Sequence, residues 1–303
     1  MINQASNPAK IISPNLSMSP SGPVSTTEKR QAFRRLHESG CFVIPNPWDV
    51  GSVRYLQSLG FKALATTSSG HAWSYGLPDG AIPLGGVLAH LQEIVGASDL
   101  PINADFGDGF APDAEGVEVN VGLAIKTGVA GVSIEDATGD ADRPLYDIDA
   151  AVSRIRAART AIDKAGGDTL LVGRAECFLV GQPDLDETIL RLKLYAEAGA
   201  DCLYAPGITT KQQIAAVVAA VAPKPVNLLV GSAGGLTMEE VAALGVRRIS
   251  VGGALARTAW GAFAHAAKLI AEQGRFDGFA NALPGQELNS FFSNDKGQQA
   301  RDK

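Results

Sequence analysis

The stretch TLLVGRAECFLVGQPDLDETILRLKLYAEAGADCLYA, residues 169–205, decides the fold. It opens on a short apolar run, TLLVGR (169–174), continues through an amphipathic segment, DETILRLKLYAEAG (186–199), and returns to a second apolar run, ADCLYA (200–205). Strand, helix and strand in that order, with Gly199 where a helix C-terminus wants glycine, read as one βαβ unit of a parallel sheet.

The same unit recurs in both directions. CFVIP (41–45), KALATT (62–67), PINADF (101–106), AGVSIE (130–135), PVNLLV (225–230) and RRISVG (247–252) bring the candidate strands to eight. Helical stretches at 50–60, 116–128, 149–163, 186–199 and 238–245 separate them. Eight alternating units close into a (β/α)₈ TIM barrel better than they make an open sheet. A doubly wound sheet would carry G-x-G-x-x-G after its first strand, where this chain has PNPWDVG (45–51). AWGAFAHAAKLIAEQG (259–274) reads as a final helix, followed by an extra C-terminal segment. The expected organisation is a loose, Ser/Pro/Asn-rich tail over 1–27, a barrel over 28–285 and a charged tail over 286–303 that packs little.

The bulk numbers agree with a compact α/β enzyme. The chain has 303 residues, long enough for one barrel with tails, and 34 of them are Gly. With a net charge of −6 and scattered Lys and Arg, it has no footprint for nucleic acid. Three cysteines without a CxxC pair argue against a disulfide framework or structural zinc and for a reducing compartment. With no apolar run of membrane-spanning length and no signal-peptide pattern, no membrane partner and a cytoplasmic location are expected.

Barrel enzymes do chemistry at the C-terminal ends of their strands. Here those ends carry Asn46, Thr67-Ser68-Ser69, Asn103, Asp105, Glu135, Arg174, Tyr204 and Asn227. Any one of the Asn, Asp or Ser residues could be an ordinary turn or N-cap residue, but their convergence points to a site. Asp79, Asp105 and Glu135 are hard oxygen donors of the kind that holds Mg²⁺, and like charges in one mouth need a cation or a proton. The planar fork of Arg174 suits a substrate carboxylate; a salt bridge to Glu176 is the plainer reading. His71 could act as acid or base, or simply be solvated. Cys177 and Cys202 read as small buried hydrophobes. Lys is absent from all the strand ends, which disfavours Schiff-base chemistry. GSAGG (231–235) with VGGALAR (251–257) leaves open a phosphate grip after the last two strands.

PNPWDVGSVRYLQSLGFKALATTSSGHAWSYGLPDG (45–80), NADFGDGF (103–110), SIEDA (133–137) and GRAECF (173–178) resemble, in order, the isocitrate lyase/phosphoenolpyruvate mutase superfamily. The resemblance implies that Thr67, Ser68 and Ser69, with Arg174 and Asn227, bind a small 2-oxo acid. It implies that Asp79, Asp105, Glu135 and Asn103 surround a magnesium or manganese ion, with Arg174, Asp79 and Glu135 the catalytic set. It further implies a homo-oligomer, dimer or tetramer, whose last helix is exchanged between subunits. Two departures shape the expected reaction. Where the family reads D-A-D this chain has Asn103-Ala104-Asp105, and the K-[KR]-C-G-H loop of the lyases is replaced by ATGDADRPLYD (137–147). The expectation is therefore an oxaloacetate-like C–C lyase or decarboxylase working through a pyruvate enolate. P–C bond chemistry on phosphonopyruvate, or a non-catalytic 2-oxo acid binder, are the alternatives. An Asp at 103 is expected to tighten metal binding and, without metal, to destabilise the fold by carboxylate repulsion.

Overall fold

The computed structural model describes residues 24–295; most of the stretch expected as an N-terminal tail, and the last residues of the C-terminal one, lie outside it. Eight strands run parallel in one sheet: β1 (Phe42–Ile44), β2 (Leu64–Ala65), β3 (Ile102–Asp105), β4 (Gly131–Glu135), β5 (Leu170–Arg174), β6 (Cys202–Tyr204), β7 (Val226–Leu229) and β8 (Arg248–Ser250). Their order is β1-β8-β7-β6-β5-β4-β3-β2, and the Ala65 N–H donates to Pro45 O at 3.1 Å to draw the two ends together. The chain is a (β/α)₈ TIM barrel.

Eleven α-helices are described: α1 (Thr26–Leu36), α2 (Val50–Ser58), α3 (Ser68–Ser74), α4 (Leu84–Gly96), α5 (Ala114–Lys126), α6 (Ile148–Lys164), α7 (Leu185–Glu197), α8 (Lys211–Val221), α9 (Met238–Ala243), α10 (Ala254–Gln273) and α11 (Gly285–Asn294). Side-chain oxygens cap many of them, with capping boxes at Ser25/Glu28, Thr210/Gln213 and Thr237/Glu240. Outward-facing residues such as Val132, Leu171, Leu203 and Ile249 join the helices in the larger core. Inward-facing Phe42, Ile44, Leu170, Val172 and Cys202 fill the barrel.

The first helix is more than a lead-in. Phe33 of α1 is fully buried against the barrel interior, and Arg34 donates to the carbonyls of Gly167, Asp168 and Thr169 just before β5. Burying one Phe is worth about 1.5–3 kcal/mol, and here it seals the end of the barrel away from the strand C-termini. This helix starts at Thr26, ahead of the boundary expected at 28, because Ser25 and Glu28 close its first turn. Gly131 is required nearby: a Cβ there would come within 2.7 Å of Phe33 Cε1 and 2.6 Å of Asn103 Oδ1.

At the other end of the chain, α11 occupies much of the stretch expected as a tail. It rests on α2, with Phe291 and Tyr55 edge-on at 5.3 Å and Asp295 paired with Arg54 at 3.6 Å. None of its residues is fully buried.

Candidate active site

Every strand delivers its C-terminal residues to one mouth, where a cavity of about 180 Å³ opens. All of the expected site residues except Glu135 and Asn227 line it. This is well below the 300–1,000 Å³ of drug-sized pockets and suits a small acid.

Around the rim, the turn after β2 is set by Thr67, which N-caps α3 and lies 3.1 Å from Ser69 through their hydroxyls. The Ser68 N–H donates to Asp105 Oδ2 at 3.0 Å, and the Asp105 N–H donates to Thr66 Oγ1 at 2.9 Å. Asp79, in the loop after α3, is exposed at the mouth, its Oδ1 accepting from the Gly80 N–H.

Arg174 occupies the centre. Nη1 lies 2.7 Å from Asp105 Oδ1 and 3.0 Å from Glu135 Oε2, while Nε donates to Glu176 Oε1 at 2.9 Å. Both readings of this arginine thus have a place: it pairs with Glu176, and it also faces the cavity with two further carboxylates. The Tyr204 ring sits 5.0 Å from its guanidinium carbon. Burial pushes the Glu135 carboxyl up to about 8, against the pull of Arg174 and with the help of Glu176, Asp105 and Asp79. Behind it, Asp136 anchors the wall by accepting from Arg191 at 3.1 Å, Tyr195 Oη at 2.5 Å and the Glu176 N–H at 2.8 Å.

One expected residue, Asn227, sits behind the wall, and another, Asn103, is on the wall but engaged with neighbours. Asn227 is fully buried behind it, its Nδ2 donating to Ser250 Oγ at 2.9 Å. Asn103 lines the cavity, but its Nδ2 donates to Ala104 O at 3.1 Å and Ser133 Oγ at 3.4 Å, and its Oδ1 accepts from Arg248 Nη1 at 3.4 Å. Arg248 itself was overlooked in the sequence, where RRIS reads as the charged start of an apolar strand. The signal available was the alternation along β8, which sends Arg248 and Ser250 inward and Ile249 out to the helices.

His71 is not solvated. It is buried and stacks on His90 with ring centroids 3.6 Å apart, beside Ser68 at a small enclosed space of about 40 Å³. Burial pulls both imidazoles down, His90 to about 3. Cys177 and Cys202 are buried thiols held above their ordinary pKa chiefly by burial, as expected of residues that take no part in nucleophilic chemistry.

Comparison with known proteins bears on this geometry directly. Residues 33–271 match the family described as phosphoenolpyruvate phosphomutase. A crystal structure of a Burkholderia cenocepacia J2315 protein provisionally named a lyase/mutase is 48% identical, covers 90% of this chain and 99% of its own, and superposes with a TM-score of 0.87. Oxaloacetate acetylhydrolase with bound oxalate is 27% identical over 93% of this chain and 98% of that one, with a TM-score of 0.79. Oxaloacetate decarboxylase of Bradyrhizobium sp. (strain ORS 278) is 31% identical over 201 residues, 63% of this chain and 68% of that protein. With its barrel, its strand-end carboxylates and arginine, and a match over most of its length, the chain belongs to the phosphoenolpyruvate phosphomutase family, within the isocitrate lyase/phosphoenolpyruvate mutase superfamily of lyases and mutases.

Proposed function

We propose that this enzyme is a metal-assisted carbon–carbon lyase or decarboxylase for a small 2-oxo acid of the oxaloacetate kind, working through a pyruvate enolate. The observation that carries the reading is the placing of Arg174 between Asp105 and Glu135 at a cavity sized for a small acid. Relatives that act on oxaloacetate support it.

A divalent ion fits the chemistry of the residues present. Asp79, Asp105 and Glu135 are hard carboxylate donors, and like charges gathered near one mouth are eased by a cation. Among the described residues no three His, Cys, Asp or Glu side chains are gathered tightly enough to chelate an ion directly. Holding it through its own waters suits magnesium, and manganese by the same logic. When bound, the ion supplies positive charge to the oxygen on which the enolate forms. Asn103, engaged with Arg248 and Ser133, is the weakest of the expected ligands.

The chain's own groups do the rest. Arg174 orients the 2-oxo carboxylate, and the hydroxyls of Thr67, Ser68 and Ser69 face the neighbouring oxygens. As the bond between C3 and the departing carboxylate breaks, its electron pair moves into the C2–C3 bond and negative charge collects on the C2 oxygen. Donors already in place stabilise that charge without reorganising.

The same reading places the enzyme in the cytoplasm as a homo-oligomer. No helix among the described residues is long and apolar enough to cross a membrane. Trp260 and Phe263 of α10 stand 46% and 62% exposed, an apolar face that fits a helix exchanged between copies.

The test is turnover of oxaloacetate, phosphonopyruvate and 2-methylisocitrate, each with and without magnesium. Magnesium-dependent release of CO₂ from oxaloacetate is expected. Methylisocitrate as best substrate overturns the reading, phosphonopyruvate as best substrate moves it to P–C bond chemistry, and binding without turnover makes the protein a 2-oxo acid binder.

A further inference from the structure

Five arginines of the described residues have their charge held well inside the protein, and four of them face a carboxylate. Arg30 pairs with Asp168, Arg154 with Asp108, Arg191 with Asp136 and Glu187, and Arg174 with Asp105, Glu135 and Glu176. Arg248 is the fifth. It is 2% exposed, and none of the ion pairs among the described residues includes it.

What meets its guanidinium is neutral. Nε donates to Asn227 Oδ1 at 2.8 Å, and Nη1 reaches across the barrel from β8 to Asn103 Oδ1 on β3 at 3.4 Å. Two amide oxygens fix the direction of the fork without cancelling its charge. A buried ion without a counterion is costly, which is why such groups are normally paired.

The guanidinium also has a place to act. Arg248 lines the same cavity as Arg174, Asp105 and Ser68. Its partner Asn103 precedes Asp105 by two residues on β3, so it sits one layer deeper in the barrel than the Arg174 carboxylate cluster. The cavity therefore has carboxylates around Arg174 at its mouth and unanswered positive charge at its floor.

We infer that Arg248 binds the second anionic group of the substrate, so that the site selects a dianionic 2-oxo acid, with a carboxylate or phosphonate at the end away from its 2-oxo carboxylate. Asn103 and Asn227 are its positioning residues. On this view the amide at position 103 is a specificity device: a carboxylate there would satisfy Arg248 from within and leave nothing for the ligand. The inference rests on the 2-oxo acid reading above and adds the residue that recognises the second acid group.

The experiment measures binding, by calorimetry with calcium in place of magnesium and CO₂ release checked to be negligible, of 2-oxobutyrate, oxaloacetate, phosphonopyruvate and malonate. The first two share a four-carbon skeleton and differ in a terminal methyl or carboxylate. Wild type, Arg248→Met, Arg248→Lys and Asn103→Asp are compared, with circular dichroism confirming the fold of each. Wild type is expected to prefer oxaloacetate over 2-oxobutyrate by roughly tenfold or more, as a charge-assisted contact allows. Arg248→Met and Asn103→Asp should each cut that preference to about threefold or less, Arg248→Met while leaving 2-oxobutyrate binding nearly unchanged, and Arg248→Lys should keep part of it. Phosphonopyruvate against oxaloacetate tells which anion the floor prefers. If Arg248→Met does not fold, Asn103→Asp decides, because it removes the free charge and keeps the arginine. An unchanged preference in the folded variants, or an equal loss for both four-carbon acids, overturns the inference while leaving the 2-oxo acid reading standing. Arg248-dependent binding of malonate with no binding of any 2-oxo acid upholds the anion site and removes that reading. No binding of any probe by wild type overturns both.

Discussion

Nη1 of Arg174, on β5, lies 2.7 Å from Oδ1 of Asp105, on β3, bridging over the strand between them, whose Glu135 is 3.0 Å from the same nitrogen. One guanidinium thus ties three adjacent strand ends together. The residue proposed to hold a substrate carboxylate is also the internal counterion of the carboxylates around it.

Replacing Arg174 by Met should therefore do two things. It should lower kcat/KM on any accepted 2-oxo acid by about 10²–10³-fold, the loss of a paired charge-assisted contact in the transition state. In EDTA it should also destabilise the fold by roughly 3 kcal/mol, since Asp105, Glu135 and Glu176 lose their cation. Magnesium, binding the native state alone, should recover part of that. Thermal melts with EDTA and with magnesium, beside steady-state kinetics, measure both; near wild-type efficiency would remove the clamp from β5.

At position 103 the contact with Arg248 favours the opposite sign to the one expected from sequence. An added carboxylate should repel Asp105 and Glu135, yet the Asn103 oxygen faces Arg248 Nη1 at 3.4 Å. Asn103→Asp should raise thermal stability in EDTA by the equivalent of about 1–2 kcal/mol, because it pairs an otherwise unmatched buried charge. Its magnesium-induced shift should match wild type. A lower melting temperature in EDTA would show that the mouth carboxylates, and not Arg248, dominate the field at this residue.

Acid should weaken the fold through two buried imidazoles. His90 and His37 are both pulled to about 3, chiefly by burial. Between their ordinary 6.5 and that value the unfolded chain takes up protons that the folded one refuses, so the stability is present above pH 6.5 and lost as pH falls. Each group gives up to about 1.4 kcal/mol per pH unit. Glu135, raised to about 8, acts in the opposite direction between its ordinary value and 8, so the informative quantity is a difference between proteins. Urea unfolding of wild type and His90→Gln at pH 7, 6 and 5 should show a shallower decline in the variant. Parallel declines would mean that His90 is protonated in the folded protein.

The loop after β3 depends on a glycine. Gly109 has φ +91°, and a Cβ there would lie 2.9 Å from Val117 Cγ2. Gly109→Ala should cost about 2 kcal/mol in urea unfolding, from backbone strain and crowding together. It should also loosen Asp108, which accepts from Tyr146 Oη at 2.8 Å. An unchanged midpoint would show that the loop has room to relax.

The eight strands, the cavity at their C-terminal ends and the approach of Asp105, Glu135 and Arg174 were legible in the sequence. Apolar runs such as TLLVGR mark strands by local chemistry, and the period of two then fixes which residues share a face. Strand direction places Glu135 and Arg174, both last in their strands, at one level, as their direct pairing in the sheet shows. The helix from Thr26 was missed, its first residues being taken into the tail, although its capping box is complete within Ser25 and Glu28.

Closure of the barrel decided the rest. Of the adjacent Arg247 and Arg248, one reaches the carbonyl of Gly40 and the other enters the interior, a choice fixed by the register of Arg248 with Asn227 and Phe42. His71 read as a loop residue until α4 brought His90 against it. Caps, turns and periodicity act over a few residues, and a sequence displays them. The partner of a buried charge is chosen by which strands meet across the barrel, and Arg248 meets Asn103 from 145 positions away.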